Sequence, residues 1–264
     1  MNKTKKKLRT YRDSGQQISC ITCYDSSFSK ILSDANIDII LVGDSLGMVI
    51  KGETNTHSVN MEEIIYHTRC VSKNNKNSIL MVDMPINSYS DSVNALKNAK
   101  AILENKGDII KIEYKDEHQD ILKQLISQEI PVCAHLGYLP QFSLSKKDIK
   151  IYGKDTEERS KILSQAKILD DMQVDLLLLE CVDPNLAIEI TKSTKAPVIG
   201  IGSGDKCNGQ VQVLYDILGI SENAPKFSTN FLKECRTIEE LSLIHISEPT
   251  RPERIAYAVF CLKK

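Results

Sequence analysis

Several things are missing from this chain of 264 residues, and each absence removes a class of function. Net charge is nearly absent. The formal total is −1, which leaves no broad basic face for nucleic acid or acidic lipid. No apolar run approaches the roughly 20 residues of a membrane span. The stretch from Met1 to Arg12 is basic but lacks the apolar core of a signal peptide. These absences predict a cytoplasmic protein without nucleic-acid or membrane partners. Two motifs are missing as well. No second C-x-x-C accompanies Cys20-Ile21-Thr22-Cys23, and in an extended strand positions three apart face opposite ways. The eight cysteines are scattered and several sit in apolar runs, so they read as buried thiols rather than disulfides, zinc ligands or a redox pair. Nor does a G-x-G-x-x-G follow the first apparent strand, which runs into Cys23-Tyr24-Asp25-Ser26. Gly200-Ile201-Gly202-Ser203-Gly204 comes late, with the wrong spacing, and reads as a tight turn or a close backbone approach.

What is present is a repeat. Hydrophobic content is 41%, ordinary for a globular domain. Short apolar runs that read as buried strands fall at 17–22, 38–42, 78–82, 108–113, 131–135, 175–180 and 197–202. Helical stretches lie between them at 26–35, 61–72, 91–104, 117–128, 156–172 and 184–191. Residues 1–16 read as a short helix or tail, 47–60 as a long polar connection, and 136–154 as a loop carrying Lys146-Lys147-Asp148. Alternating strands and helices predict a parallel sheet with right-handed crossovers. Seven such units, with room for an eighth, favour an α/β fold of the (β/α)8 TIM-barrel type over an open doubly wound sheet.

Four of these runs end in a carboxylate. Ile39 to Val42 breaks into Gly43-Asp44-Ser45-Leu46-Gly47. The others end in Asp83, Glu113 and Glu180. Barrel active sites lie at the C-terminal ends of the strands, so the four acids are expected to share one site. A single strand-end acid is more often a helix cap or a surface charge, but four at equivalent places outweigh that reading. Asp44, Asp83 and Glu113 offer oxygen ligands without histidine or thiolate, which selects a hard cation, Mg²⁺ first. Period two along Ile110-Lys111-Ile112-Glu113 turns Lys111 to the same side as Glu113, where its ammonium suits a substrate carboxylate. Ser45 adds a hydroxyl and a backbone N–H. Glu180 ends an unusually apolar strand, so desolvation is expected to raise its pKa into the range of a general base. His135 reads equally as a pocket hydrogen-bonder or a satisfied core histidine, and His67 reads as structural.

These residues bring a family into view. The chain resembles ketopantoate hydroxymethyltransferase (3-methyl-2-oxobutanoate hydroxymethyltransferase). The resemblance rests on Thr22-Cys23-Tyr24-Asp25, Leu41-Val42-Gly43-Asp44-Ser45-Leu46-Gly47-Met48, Tyr66-His67-Thr68, Asp83-Met84-Pro85, Lys111-Ile112-Glu113, Pro131-Val132-Cys133-Ala134-His135-Leu136-Gly137, Leu179-Glu180-Cys181-Val182, Pro197-Val198-Ile199-Gly200-Ile201-Gly202 and Pro225-Lys226-Phe227. It implies a barrel of the phosphoenolpyruvate/pyruvate superfamily. It implies Mg²⁺ at Asp44, Asp83 and Glu113, substrate contacts from Asp44, Ser45, Asp83 and Lys111, and Glu180 as proton acceptor. The implied reaction moves a one-carbon unit from 5,10-methylenetetrahydrofolate to 3-methyl-2-oxobutanoate, giving 2-dehydropantoate on the way to pantothenate, with the metal stabilising an enolate. It also implies a homo-oligomer, a decamer in the family. Other Mg²⁺-dependent lyases or mutases acting on 2-oxo acids, and a catalytically inactive metal-binding barrel, are the alternatives. Tetrahydrofolate dependence separates the first of these from the family reaction.

The chain departs from the family pattern in places. Tyr114-Lys115 stands where a glycine pair is usual. Gly137-Tyr138-Leu139-Pro140-Gln141 replaces Gly-Leu-Thr-Pro-Gln and runs into lysines, and Asn208 replaces an aspartate before Gly209-Gln210. The far end departs altogether. Residues 241–251 read Leu-Ser-Leu-Ile-His-Ile-Ser-Glu-Pro-Thr-Arg, the translation of a common transposase-type sequencing adapter. Residues 257–262 resemble the adapter's far end, with 252–256 where a variable index lies. The expectation is one barrel domain over 1–240 and adapter read-through over 241–264. The last barrel helix, opening at Thr237-Ile238-Glu239-Glu240, is then incomplete, because Pro249 and Pro252 cannot continue a helix interior.

Overall fold

The computed structural model describes residues 3–143, 148–221, 224, 225, 227, 228, 230 and 231. The expectations for Lys146 and Lys147, the incomplete last helix and the read-through segment lie outside the described residues. Eight parallel strands close into a barrel. They are β1 (Ile18–Thr22), β2 (Ile39–Val42), β3 (Ile79–Asp83), β4 (Ile109–Glu113), β5 (Val132–Gly137), β6 (Leu176–Glu180), β7 (Val198–Ile201) and β8 (Gly209–Gln212), and β8 pairs back onto β1. The helices are α1 (Lys3–Asp13), α2 (Ser26–Asp34), α3 (Leu46–Val49), α4 (Met61–Ser72), α5 (Ser92–Glu104), α6 (Gln119–Ser127), α7 (Thr156–Asp171), α8 (Pro184–Ser193) and α9 (Leu214–Ile217). Among the described residues no helix is long and apolar enough to cross a membrane.

The period of two along each strand sorts the core into two layers. Ile39, Leu41, Ile79, Met81, Leu176 and Leu178 fill the barrel interior. Their neighbours Ile40, Val42, Leu80, Val82, Leu177 and Leu179 face outward under the helices. Both faces of every strand are buried, which is why the runs read as continuously apolar. The same alternation separates the C-x-x-C pair. Cys20 is in the interior and Cys23 in the outer layer, both buried. Helix α1 carries Leu8, fully buried, into the interior from the N-terminal end of the strands.

Several local expectations change. The 47–60 connection is not wholly irregular, because Leu46–Val49 forms a helical turn closed by Val49 N–H on Ser45 O and Gly47 N–H on Asp44 O. Asp91 sits one residue before its helix and caps it, accepting from Val93 and Asn94 N–H, as short acceptors do at that position. The 117–128 helix opens as a 3₁₀ turn at Asp116–His118, and α6 proper starts at Gln119. Strand β5 runs past His135 to Gly137, whose φ of +97° brings it so close to Glu180 that a Cβ there would lie 2.2 Å from Glu180 O. Such a position tolerates only glycine.

The N-terminal ends of the strands are tied by one repeated device. Asp38, Asp108, Asp175 and Asn208 each stand immediately before an even-numbered strand. Each accepts the backbone N–H of the preceding odd-numbered strand: Ser19 at 2.9 Å, Leu80 at 2.8 Å, Val132 at 3.0 Å and Val198 at 2.9 Å. The task needs one acceptor oxygen, which an amide supplies as a carboxylate does, and Asn208 Oδ1 makes that contact. Tyr114 and Lys115, where a glycine pair is usual, also find neighbours. Tyr114 is buried in the outer core, and Lys115 Nζ lies 3.9 Å over the Phe142 ring.

Candidate active site

The C-terminal ends of the strands gather the acids that the sequence singled out. Asp44 follows β2 and Asp83 ends β3, and Asp44 N–H donates to Asp83 Oδ2 at 2.9 Å. Asp83 Oδ1 accepts Lys111 Nζ at 2.8 Å, both side chains being buried. Lys111 and Glu113 do face the interior from β4 while Ile110 and Ile112 face the outer layer. Ser45 Oγ lies 2.8 Å from the Tyr24 hydroxyl. Glu113 is a direct β4–β5 neighbour of His135, with Oε1 3.8 Å from His135 Nδ1. On the other side of that ring, Glu180 Oε2 is 3.4 Å from His135 Nε2. Glu180 keeps its side chain about 20% exposed, so it alone of the four acids reaches the barrel mouth.

Gln141 was not singled out by the sequence reading, yet it joins this site together. It is 1% exposed and lies in a 3₁₀ turn, Pro140–Phe142, after β5. Its Nε2 donates to Asp44 Oδ2 at 2.7 Å and to Met84 O at 3.0 Å, and its backbone N–H donates to Glu113 Oε2 at 3.0 Å. The Tyr89 hydroxyl donates to its Oε1 at 2.5 Å. The loops after β2 and β3 thus meet on the Gln141 side-chain amide, and the end of β4 meets its backbone N–H. The one available signal was its place after Pro140 in the stretch shared with the family. His67 is structural, as expected: its Nδ1 lies 2.6 Å from Tyr24 O.

Burial and mutual repulsion set the electrostatics. Burial, and then the Asp83 charge, push Asp44 up to about 7 against the pull of Lys111. Burial and Asp44 hold Glu113 well above the usual carboxylate range. Burial pushes Glu180 up to about 8, with Lys111 opposing and Asp44 and Asp83 adding. Burial works against the Lys111 charge, but Asp83, Asp44 and Glu113 outweigh it and hold the amine above its usual range. Four carboxyls therefore surround one buried ammonium. Glu113 Oε1 has no hydrogen-bond partner. A cation beside Asp44, Asp83 and Glu113 would relieve this repulsion, and the all-oxygen donor set fits a hard one. Among the described residues no three His, Cys, Asp or Glu side chains form a ready-made cage.

Comparison with known proteins agrees with this geometry. Residues 2–243 match the family model described as ketopantoate hydroxymethyltransferase. The chain is 42% identical over 234 residues to a 3-methyl-2-oxobutanoate hydroxymethyltransferase from Marinobacter nauticus, covering 88% of this chain and 89% of that protein. It is 38% identical over 242 residues to the enzyme of that name from Buchnera aphidicola, covering 91% and 92%. Among solved structures it is similar in fold to phosphonopyruvate hydrolase, with a TM-score of 0.64 at 14% identity, covering 97% of this chain and 94% of that one. It is also similar to 2,3-dimethylmalate lyase, a member of the PEP mutase/isocitrate lyase superfamily, with a TM-score of 0.61 at 11% identity, covering 98% and 95%. The two structures share the barrel, and the sequence relatives carry the assignment: the chain belongs to the ketopantoate hydroxymethyltransferase family.

Proposed function

We propose that the chain transfers a hydroxymethyl group from 5,10-methylenetetrahydrofolate to 3-methyl-2-oxobutanoate, giving 2-dehydropantoate; the names of its relatives give the acceptor and the group transferred. The observation that carries this is Glu180. It is a carboxyl held near neutrality by burial, at the open end of β6, facing a site whose other acids surround a buried lysine. Asp44, Asp83 and Glu113 would hold Mg²⁺, which when bound supplies a Lewis acid for the keto oxygen. A fold neighbour, phosphonopyruvate hydrolase, is known in complex with oxalate and Mg²⁺, so this barrel architecture accepts that pairing of ligands.

The chain's own residues then do the following. Lys111 neutralises the substrate carboxylate, and the Ser45 hydroxyl and N–H orient it. Glu180 takes the proton from C3, for which a pKa close to the working pH is best. One water releases the donor's methylene from both folate nitrogens at the formaldehyde level, freeing tetrahydrofolate; the carbanion attacks that carbon, and the new alkoxide takes the proton back from Glu180 to become the hydroxyl of the product. Water must be kept from the carbanion, and Gln141, in the turn Pro140–Phe142 after β5, packs onto Asp44 and Glu113 at that end of the barrel. The family assignment suits a cytoplasmic biosynthetic enzyme, and the homo-oligomer, a decamer, is carried over from the resemblance alone.

The test is product formation from 3-methyl-2-oxobutanoate, methylenetetrahydrofolate and Mg²⁺, with Glu180→Gln alongside. Removing the base is expected to cost about 10²- to 10⁴-fold in kcat. A folded, Mg²⁺-binding wild type that yields no product with this pair sinks the reading.

A further inference from the structure

His135 has no task in the scheme above, and its surroundings are not those of a core histidine. The ring is 1% exposed, yet neither nitrogen makes a close, well-aligned hydrogen bond, its polar neighbours being the Tyr138 backbone and the two flanking carboxyls; Glu113 Oε1 beside it has none either. Buried polar atoms without such bonds are rare and costly. Three side by side mark a place arranged for something other than packing. The backbone explains the placement. In the parallel register Gly137 pairs with Glu180 and His135 pairs with Leu178, so His135 lies one pleat below Glu180 on the adjoining strand. Glu113 pairs with His135 on the other side. The imidazole is thus bracketed by two carboxyls on rigid strands. Among the described residues it is the only basic side chain in ion-pair range of Glu180.

We propose that His135 is a positioning residue for Glu180: its Nε2–H donates to Glu180 Oε2 and fixes which carboxylate lone pair faces the C3 proton of the bound 2-oxo acid. The inference rests on the reading of Glu180 as the base. An imidazole presents its two nitrogens to different sides, and here Nδ1 faces Glu113 and Nε2 faces Glu180. Of its two neighbours, Glu180 Oε2 is nearer, at 3.4 Å against 3.8 Å for Glu113 Oε1. Glu113 already has a donor on its other oxygen, the Gln141 N–H. Catalytic hydrogen bonds are often long before substrate arrives and tighten in the complex. In the step itself the C3–H bond breaks, its electron pair stays with the substrate and the proton goes to Glu180, and the His135 proton does not move.

The experiment separates this role from packing and from the fate of the base reading. The full chain is given 3-methyl-2-oxobutanoate and Mg²⁺ in D₂O without folate, and loss of the C3 proton signal is followed by NMR. Four proteins are compared: wild type, Glu180→Gln, His135→Gln and His135→Asn. Glutamine can place its amide N–H where Nε2–H stands, and asparagine can mimic only Nδ1. His135→Asn is expected to slow exchange at saturating substrate by about 10²-fold with KM changed less than about threefold, and His135→Gln to recover to within about tenfold of wild type. Equal rates for the two His135 variants, or a change confined to KM, overturn the proposal. If Glu180→Gln exchanges at the wild-type rate, the base reading falls and takes the proposal with it. If Glu180→Gln is silent while both His135 variants exchange normally, the base reading stands and the proposal alone fails. A second measurement needs no variant. ¹⁵N NMR of histidine-labelled wild type is expected to show His135 as the neutral Nε2–H tautomer, and the Nδ1–H tautomer overturns the assignment.

Discussion

The two ends of this barrel use the same side chain for opposite ends. At the N-terminal end, Asp38, Asp108 and Asp175 each place a carboxylate oxygen on a backbone N–H of the neighbouring strand, and Asn208 does the same with an amide. Every one of these groups has a partner within its own scaffold. At the C-terminal end, Asp44, Asp83, Glu113 and Glu180 crowd around Lys111, with a Glu113 oxygen lacking a hydrogen bond and the His135 imidazole without a close one. The first set makes the barrel close. The second stores repulsion that a cation and an anionic substrate can relieve. A buried acid stabilises when its lone pairs are filled by the fold and is available for chemistry when they are not. This division follows the general rule that barrels put stability at one face and catalysis at the other.

The comparison can be broken most severely at the open end. Glu180→Gln is expected to cost about 10²- to 10⁴-fold in kcat while leaving the melting temperature unchanged or higher, since it removes an acid that burial disfavours. Steady-state kinetics beside a thermal melt checks both halves. Gln141→Ala should come next, because it is the one change that damages activity and stability together. It leaves Asp44, Met84 O and the Tyr89 hydroxyl short of a partner. A loss of about 10- to 100-fold in kcat/KM with about 1–3 kcal/mol of stability is expected. Urea unfolding that shows no loss would mean that the latch is not needed for folding.

Smaller effects belong to the closed end. Asp175→Ala should cost about 1–3 kcal/mol by stranding the Val132 N–H and the Lys5 ammonium nearby, with kcat per folded molecule unchanged. Asp175→Asn should cost less, because Asn208 already performs that task at the equivalent place. The smallest effect is a pH drift. Burial raises Asp44 from 3.8 to about 7 and Glu180 from 4.5 to about 8. A raised acid gives stability that is fully present below its unfolded pKa and lost as pH rises through its folded pKa. The substrate-free protein should therefore melt at a progressively lower temperature from about pH 4 to about pH 8. Mg²⁺ with 3-methyl-2-oxobutanoate should flatten that slope, since a cation favours the charged carboxylates. A slope of the opposite sign in calorimetry would contradict the burial of these groups.

The strand-end acids were legible in the sequence because each closes a short apolar run, and Lys111 because alternation along a strand is strict. The same alternation showed that Cys20 and Cys23 could not meet. Gln141 was invisible because its importance lies in whom it touches: Asp44 is 97 residues away and Tyr89 is 52. The four bottom acceptors were overlooked for the same reason, since a polar residue before a strand looks like any loop residue until the neighbouring strand is seen. Asp91 and the turn at Leu46–Val49 were misplaced by a residue or overlooked, because caps and single turns depend on local hydrogen bonds more than on periodicity.

By itself the sequence determined the kind of fold, through the βα repeat and doubly buried strands, and the cast of the site, through four acids and a lysine at strand ends. Tertiary structure decided how those groups share protons and partners. Which carboxyls are pushed up towards neutrality, which imidazole stands between Glu113 and Glu180, and which glutamine ties Asp44, Met84, Tyr89 and Glu113 together all depend on closing the barrel. Closure removes water from the site and sets side chains from distant segments within hydrogen-bond range, and no local pattern encodes either.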